Sequence, residues 1–458
     1  MEAGASRDFA ARAAEILLYV LIVLALLLGG SPSDANWRTA LLCVTASALA
    51  AATFAAGPRG GAPRRPLLLR LALVLIVAIP ALQLVPLPPG LWSMLPGRDT
   101  PAAVFDLLGT RGDWHPLSLT PRDTLFALLM LLPPFAAFWA ASTLGADVRA
   151  RCVTVFLAVV ALSALIGLVQ LGSRGTTLVF YNFGHRGNLV GFFANRNHQG
   201  LMLAIAASFA IAMVHRHVRE PRAAITWSAI LSIAFLTLAV GTISRAALGL
   251  TVLSLAITIF AFFLTGVGRR HPAMVVALVL ATGLVIYFLS SSPVVEQALS
   301  RFDAVRDDGR WDILHAVMPL VSQYSPWGSG MGSFVPIYAA IENLDNLSPH
   351  YLNRVHNDYL ELFIEAGVPG LIALALLIAA IGGRGAAILR GRRNFPPFGV
   401  SAMVAILLVA LHSIVDYPLR TQAIAVLFAF VLALLFAEAG ERKRVRIAPG
   451  DGERRAGE

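Results

Sequence analysis

The sequence predicts an all-α integral membrane protein with about twelve transmembrane helices. Hydrophobic residues make up 57% of the 458-residue chain and charged residues only 14%, and the mean hydropathy is +0.73. Apolar runs near the ~20 residues that cross a bilayer recur from one end of the chain to the other. Because a water-soluble domain of this composition would expose too much apolar surface, lipid is the expected solvent.

Gly, Pro and charged residues divide the chain into individual apolar runs. The second run is rich in Ala and is the weakest candidate for a transmembrane span. The seventh and eighth runs are separated by so short a segment, residues 241–245, that their connection must be a tight hairpin. The predicted spans are 13–30, 38–56, 67–87, 124–143, 153–172, 194–214, 223–241, 246–266, 272–290, 357–382, 397–415 and 421–438.

One polytopic membrane domain, residues 1–458, is the simplest description, since no repeat or long linker divides the chain. Two long connections, 88–123 and 291–356, fall on the same side of the membrane, and the chain ends in a basic tail, residues 439–458. Both connections contain short apolar stretches that predict helices lying on the membrane surface. These stretches are residues 101–108 and 313–320.

The formal net charge of +10 reflects membrane topology. With the N-terminus (Arg7, Arg12) placed in the cytoplasm, 23 of the 36 basic residues fall on the cytoplasmic side, in agreement with the positive-inside rule. The two long connections then lie outside. This distribution explains the basic residues without nucleic acid as a partner. Cys43 and Cys152 lie in separate apolar segments, so we expect core packing and no disulfide.

Polar residues in apolar helices are the informative ones, because a charge near the bilayer centre costs at least ~2.5 kcal/mol. Residues 192–200 place five such side chains at the start of the sixth span, on the outside. A helix cap with an arginine snorkelling to the headgroups would explain part of this set. The whole set is a dense group of hydrogen-bonding side chains suited to sugar hydroxyls or phosphate oxygens: Asn195, Arg196, Asn197, His198 and Gln199.

Arg245 follows Ser244 in the predicted hairpin and begins the eighth span. The N-terminal end of a helix carries positive potential, which disfavours an arginine and favours an anion. A bound anion beside Arg245 would remove this conflict. The plainer alternative is that the side chain snorkels to the headgroups.

Arg310 lies among acidic residues in the long connection 291–356 and is a second candidate for binding an anion. An exposed ion pair with the neighbouring aspartates is the alternative. The Gly-rich residues 326–332 resemble a phosphate-binding loop only weakly, because they lack its lysine and lie on the outside, away from ATP.

His356 and Asn357 mark the outside start of the tenth span, which also carries Asp358, Glu361 and Glu365. At 100° per residue the three carboxylates share one side of the helix, opposite His356. We therefore expect the carboxylates to hold arginines of neighbouring spans. His356 would then remain available as a general base at the membrane surface.

No metal or other cofactor is predicted. Four histidines fall on the outside, but no ligand-spacing motif joins them and the outside loops contain no Asp-x-Asp pair. These histidines are His185, His198, His350 and His356.

Residues 356–370 resemble the His-Asn-x-x-Leu and Glu-x-Gly signature of the O-antigen ligase and polymerase superfamily of bacterial envelope enzymes. Residues 244–247 are similar to its Ser-Arg-Gly/Ala element, residues 195–197 to its Asn-rich start, and residues 328–334 to its Gly-x-Gly-x-x-x-Phe turn. The resemblance covers about residues 190–370. One departure concerns the loop arginine, because members often carry a Trp a few residues later, whereas here Trp311 adjoins Arg310.

The resemblance implies a GT-C type, metal-independent, inverting glycosyltransferase in the bacterial inner membrane, with its active site facing the periplasm. Its donor would be a glycan linked to undecaprenyl diphosphate, and its acceptor lipid A core or another glycan. By this resemblance Arg245 and Arg310 would hold the diphosphate and His356 would deprotonate the acceptor hydroxyl. The substrate-binding residues would be Asn195, Arg196, Asn197, His198, Ser244 and Asn357.

The acceptor is left open by the sequence. An O-antigen ligase of lipopolysaccharide biosynthesis, an O-antigen or exopolysaccharide polymerase and a protein O-oligosaccharyltransferase share the donor half of the reaction. Residues 412–419 are similar to members assigned to exopolysaccharide polymerisation. A chain-length regulator is also left open as a partner. A transporter or flippase is the non-enzyme alternative, but such proteins concentrate polar residues along a midplane path, whereas here they gather at one surface.

Overall fold

The computed structural model describes seven stretches of the chain. They are residues 2–31, 36–57, 65–181, 187–264, 310–342, 352–390 and 397–447. The predicted ninth span, residues 272–290, and part of the connection 291–356 lie outside the described residues.

Helices form nearly all of the regular structure in these stretches. The helices before the predicted hairpin are α1 (Glu2–Leu28), α2 (Asn36–Ala56), α3 (Leu67–Gln83), α4 (Pro89–Trp92), α5 (Asp99–Leu108), α6 (Pro121–Leu129), α7 (Leu132–Thr143), α8 (Ala146–Gly172), α9 (Arg196–His217) and α10 (Pro221–Gly241). The later helices are α11 (Arg245–Leu264), α12 (Arg310–Tyr324), α13 (Phe334–Ala339), α14 (Asp358–Arg390), α15 (Pro397–His412), a 3₁₀ turn (Pro418–Arg420) and α16 (Gln422–Ile447). Strands β1 (Pro86–Leu87) and β2 (His115–Pro116) pair antiparallel.

Eight of the helical segments are long and apolar enough to cross a membrane, and three shorter helices are also apolar. The prediction of an all-α membrane protein is therefore confirmed. Apart from residues 272–290, each predicted span coincides with one of these eleven segments. The predicted hairpin is present, because α10 ends at Gly241 and α11 begins at Arg245.

The fourth predicted span, residues 124–143, is divided into α6 and α7 between Leu129 and Leu132. Consecutive prolines explain the break. Pro133 and Pro134 lack the N–H that a continuous helix would use and crowd the carbonyl one turn earlier, so a new helix starts with the first of them in its opening turn.

Helix α9 lies at the centre of the bundle and packs against α8, α10, α11 and α15. Of its apolar window 83% is buried, whereas the other seven candidate spans are at most 44% buried. Small residues allow this close packing, since a Cβ on Gly200 would overlap the side chain of Ala247. Ser208 also hydrogen-bonds across the core to Ser401 at 3.0 Å.

The Gly-rich loop before α13 is bound to α14 through its backbone. The amides of Ser329 and Gly330 donate to the carbonyls of Ile364 and Glu365, each at 3.0 Å, and Val368 donates to Pro326 at 2.8 Å. Gly367 interrupts α14 with a φ of +59°, in the left-handed region that glycine tolerates. These contacts make the loop a structural brace for the start of α14.

Candidate active site

Asp416 lies at the centre of a buried polar cluster, in the turn between α15 and the 3₁₀ turn. Its Oδ2 accepts hydrogen bonds from Nδ2 of Asn195 at 3.2 Å and Nδ2 of Asn197 at 2.8 Å. Its Oδ1 accepts the backbone N–H of Tyr417 at 3.0 Å. Three donors around one buried carboxylate favour its ionised form.

Three imidazoles surround this carboxylate. Nδ1 of His356 lies 3.5 Å from Oδ1, Nε2 of His198 lies 3.7 Å from Oδ1, and Nε2 of His412 lies 3.8 Å from Oδ2. The side chains of His198 and His412 are buried, whereas that of His356 is 25% exposed. Among the three, His356 is therefore the one placed to exchange a proton with a substrate.

Burial opposes ionisation of Asp416, but interactions with His198 and His356 outweigh it and hold the pKa of Asp416 well below its usual value. The carboxylate is therefore charged at neutral pH. The Tyr417 ring contacts His356 and His198 edge-on, with ring centroids 4.9 and 5.2 Å away. Burial and the nearby Asp416 raise the pKa of Tyr417 to about 12, so the phenol is neutral.

The chain reaches His356 in an uncommon backbone conformation, with a φ of +58°. A non-glycine residue in this region is held there by its surroundings, and such residues cluster at active sites. The next residue supplies the restraint. Asn357 Oδ1 caps α14 by accepting the amides of Tyr359 and Leu360, each at 3.0 Å, and its Nδ2 donates to the carbonyl of Ile414 at 3.0 Å.

Polar residues from the start of the sixth span and from the hairpin meet in this cluster. Asn195 caps α9 by accepting the amide of Asn197 at 2.9 Å. Ser244 Oγ donates to Asn197 Oδ1 at 2.7 Å, while Asn197 Nδ2 contacts Asp416. A continuous chain of side chains therefore joins the start of α11 to Asp416 and His356.

The predicted arginines stand at the starts of three helices. Arg196 begins α9 and Arg245 begins α11, both half-buried and each next to a residue of the hydrogen-bonded chain described above. Arg310 begins α12, but its side chain lies outside the described part of the structure. The backbones of Arg196 and Arg245 thus adjoin residues of the polar cluster, and the predicted roles of all three arginines stay predictions.

The carboxylates of α14 hold arginines, as the sequence predicted. Arg420 Nη1 donates to Glu365 Oε2 at 2.7 Å and lies 3.5 Å from Glu361 Oε1. Arg420 Nε lies 3.7 Å from Asp358 Oδ1. Arg354 contacts Glu361 at 2.9 Å. Burial would lower the pKa of Arg420, but the three carboxylates outweigh it and raise the pKa above its ordinary value. The carboxylate that lies beside His356 is instead Asp416, in the turn after α15.

Asp416 and Arg420 are the important residues that sequence reasoning missed. The prediction left His356 without a carboxylate partner, because only acids of its own helix were considered. A usable signal was present, since Asp416 is an acid between two short apolar helices, in a segment that also contains His412. The same test that identified residues 192–200 would have identified this turn.

His198, His412 and Asp416 also form a group that could hold a metal ion, with one donor atom from each within 4.8 Å of the others. Imidazole nitrogen and carboxylate oxygen are suitable ligands for a divalent transition metal. No metal was predicted from the sequence, because no ligand-spacing motif joins the histidines. Spacing cannot reveal this group, because the fold assembles it from separate helices.

Comparison with known proteins gives one family match. Residues 229–375 match the family model described as O-Antigen ligase. The matched part contains Ser244, Arg245 and His356, whereas Asn195 and Asp416 lie outside it. A search of curated proteins finds no match to the chain. The match confirms the resemblance of this multi-pass membrane protein to the O-antigen ligase and polymerase superfamily.

Proposed function

We propose that the protein is a glycosyltransferase of the inner membrane that transfers a glycan from undecaprenyl diphosphate to an acceptor hydroxyl at the periplasmic face, as an O-antigen ligase acting on lipid A core. The observation that carries this proposal is the pairing of partly exposed His356 with buried Asp416 at the start of α14. A partly exposed imidazole that has one ring nitrogen against a carboxylate is a suitable general base.

His356 would act through Nε2. With Nδ1 facing Asp416 at 3.5 Å, the ring would keep its proton on Nδ1, and Nε2 would accept the proton of the acceptor hydroxyl. The negative charge of Asp416 would stabilise the imidazolium that forms. Asn195 and Asn197 would keep the carboxylate in place through their hydrogen bonds.

The deprotonated acceptor oxygen would attack the anomeric carbon from the side opposite the diphosphate. The new carbon–oxygen bond would form as the bond to the phosphate oxygen breaks, so the configuration would invert in one step. The diphosphate would leave with its electron pair and need no separate proton donor. Arg245 and Arg310 would stabilise the developing charge, since guanidinium groups pair bidentately with phosphate oxygens and require no metal ion.

The other predicted substrate ligands divide into two groups in this proposal. Arg196 would contact sugar or phosphate directly from the start of α9. The contacts of Asn195, Asn197 and Ser244 support an indirect role, because each belongs to the hydrogen-bonded chain that ends at Asp416. His198 and Asn357 would help to place Asp416 and His356.

The position of the site supports surface chemistry over transport. Asp416 lies in a turn and His356 just before a helix begins, so the polar cluster stands at helix ends. A transporter would instead carry its substrate residues near the middle of interrupted helices. A polymerase remains a second candidate because residues 412–419, which contain Asp416, are similar to members assigned to exopolysaccharide polymerisation.

The envelope glycans of a deletion strain test the proposal. The strain is complemented with wild type or His356→Ala, after equal membrane levels of both proteins are established. A ligase predicts that the variant leaves lipid A core bare while lipid-linked polymer accumulates. Loss of polymer with single repeat units retained would instead identify a polymerase. Full complementation by His356→Ala would contradict the catalytic assignment.

A further inference from the structure

His198, His412 and Asp416 form a compact group of possible metal ligands that shares Asp416 with His356. Nε2 of His198 lies 3.7 Å from Asp416 Oδ1, and Nε2 of His412 lies 3.8 Å from Asp416 Oδ2. One donor atom from each of the three lies within 4.8 Å of the other two. Bonds of ~2.1 Å to a central ion require these side chains to close by less than about 1 Å. Only a small local adjustment therefore separates this arrangement from a coordinated ion.

The three side chains stand on firmly packed structure. His198 belongs to the first turn of α9, the most buried of the eight candidate spans. Asp416 N–H donates to the His412 carbonyl at 2.9 Å, so the chain continues the helical turn and brings both side chains to one face. Asn195 and Asn197 hold the carboxylate through Oδ2. Hydrogen bonds of this kind orient the ligands of metal sites.

His198 has bonding capacity that the surrounding side chains do not use. The side chain is fully buried, and neither Nδ1 nor Nε2 has a hydrogen-bond partner among the described residues. A buried imidazole without such a partner is unfavourable. A metal ion at Nε2 would satisfy one of the two nitrogens, and a buried water is the alternative.

The donor set determines which ions suit the group. Two imidazole nitrogens and one carboxylate oxygen suit Zn²⁺, Co²⁺ and other divalent transition metals, whereas Mg²⁺ and Ca²⁺ prefer oxygen ligands. An ion also needs a route to the buried ligands. The side chain of His356 is 25% exposed and lies beside Asp416, so the group is reached from the surface at this point.

We propose that His198, His412 and Asp416 bind a divalent transition-metal ion that inhibits the protein. Nδ1 of His356 and Nε2 of His198 lie 3.5 and 3.7 Å from the same oxygen, Oδ1 of Asp416. An ion held there by His198 offsets the negative charge of Asp416 and removes the partner that orients His356 as a base. Metal binding stands on the geometry of the three ligands, whereas the inhibition rests on the proposed function.

Binding of Zn²⁺ to the purified full chain in detergent tests the site without turnover. After chelation and dialysis, calorimetric titration should show one equivalent of Zn²⁺ bound by wild type, which excess Mg²⁺ does not displace. His412→Gln should weaken this binding by about a hundredfold or more, because it removes a ligand. His217→Gln should leave it unchanged. His217 is a matched control, since it is an exposed histidine at the opposite end of α9 from His198.

Thermal unfolding separates loss of the site from a failure to fold. Zn²⁺ should raise the melting temperature of wild type and of His217→Gln, because an ion bound by the folded state stabilises it. His412→Gln and a second variant, His198→Gln, should unfold cooperatively without metal and gain nothing from Zn²⁺. Binding by both variants with wild-type affinity would overturn the proposal, since the ion would then lie elsewhere. The absence of stoichiometric binding in wild type would also overturn it, in favour of a buried water.

The inhibition is measured as the glycan transfer rate against Zn²⁺ concentration, relative to the metal-free rate of each protein. Saturating Zn²⁺ should lower transfer by wild type roughly a hundredfold, through loss of the Asp416 charge that orients His356. A chelator should restore the rate. His412→Gln should resist Zn²⁺ concentrations that saturate wild type. Stoichiometric binding that leaves transfer unchanged, or increases it, would overturn the inhibitory role.

Failure of this inference and failure of the proposed function give different results. His356→Ala should fail to transfer glycan and bind Zn²⁺ no more weakly than wild type, because His356 is not among the three ligands. If His356→Ala still transfers glycan while Zn²⁺ binding requires His412, the proposed function is wrong and the metal site stands. If transfer requires His356 but His412→Gln and His198→Gln bind Zn²⁺ like wild type, the metal site is wrong and the proposed function stands.

Discussion

Nδ1 of His356 lies 3.5 Å from Oδ1 of Asp416, although His356 precedes α14 and Asp416 follows α15. The two residues are brought together by hydrogen bonds between their segments. Asp358 N–H donates to the Ser413 carbonyl at 2.9 Å, and Ser413 Oγ donates to the Asp358 carboxylate at 2.9 Å. The turn that carries Asp416 is thus fixed to the start of the helix that follows His356.

Replacing Asp416 with Asn should lower the rate of glycan transfer by roughly a hundredfold, because the partner that orients His356 loses its charge. The measurement is the transfer rate of purified protein with donor and acceptor in excess. Asp106→Asn is the control, since Asp106 forms an exposed ion pair with Arg111. A rate for Asp416→Asn within threefold of wild type would remove Asp416 from the mechanism.

Asp416 should also make the fold sensitive to acid. Its pKa in the folded chain is well below the ~3.9 of an unfolded aspartate, so the native state binds fewer protons. The stability it contributes is complete above about pH 4 and is lost as the pH falls toward the folded-state pKa.

Thermal unfolding in detergent between pH 3 and pH 7 measures this dependence. The melting temperature of wild type should fall more steeply below about pH 4 than that of Asp416→Asn, which has no proton to gain there. Identical acid profiles for the two proteins would contradict the lowered pKa.

Arg420→Gln should destabilise the protein by about 3–5 kcal/mol, because three buried carboxylates would lose their shared cation. These are Asp358, Glu361 and Glu365. Unfolding of the purified variant by heat or denaturant provides the measurement. Arg111→Gln removes an exposed ion pair and should cost less than about 1 kcal/mol. Equal losses of unfolding free energy in the two variants would show that the ion pairs of Arg420 contribute no more to stability than an exposed ion pair does.

The helices and part of the candidate site could be predicted from the sequence, because both depend on the local order of apolar and polar residues. Polar residues at the start of apolar runs identified Asn195, Arg245 and His356 without any knowledge of packing. The same kind of local pattern could have marked Asp416 as a candidate, but its pairing with His356 depends on the approach of α14 and α15, which no local pattern encodes. Arg310 shows a different limit, since its predicted role depends on a side chain outside the described residues.

Gly367→Ala should destabilise the start of α14 for two reasons. The left-handed φ of +59° costs a residue with a Cβ about 1–3 kcal/mol, and the new methyl group would overlap the Pro326 carbonyl oxygen. Gly382→Ala, in the same helix, would meet nothing within 4 Å and should be neutral or slightly stabilising. Thermal unfolding of both variants makes the comparison. A Gly367→Ala protein as stable as Gly382→Ala would mean that the brace between the Gly-rich loop and α14 carries little of the stability.

Glycan transfer should persist after treatment of the purified protein with a metal chelator, because in the proposed mechanism arginines supply the positive charge that stabilises the leaving diphosphate. The group formed by His198, His412 and Asp416 makes this a demanding test, since its donor atoms lie close enough to hold a metal ion. The transfer rate is measured before and after chelation and dialysis, with metal content determined in parallel. His412→Gln separates two explanations of a chelator effect, because it removes one donor atom and leaves the His356–Asp416 pair in place. Loss of activity on chelation, restored by added metal in wild type but not in His412→Gln, would replace the metal-independent mechanism with one that uses this group.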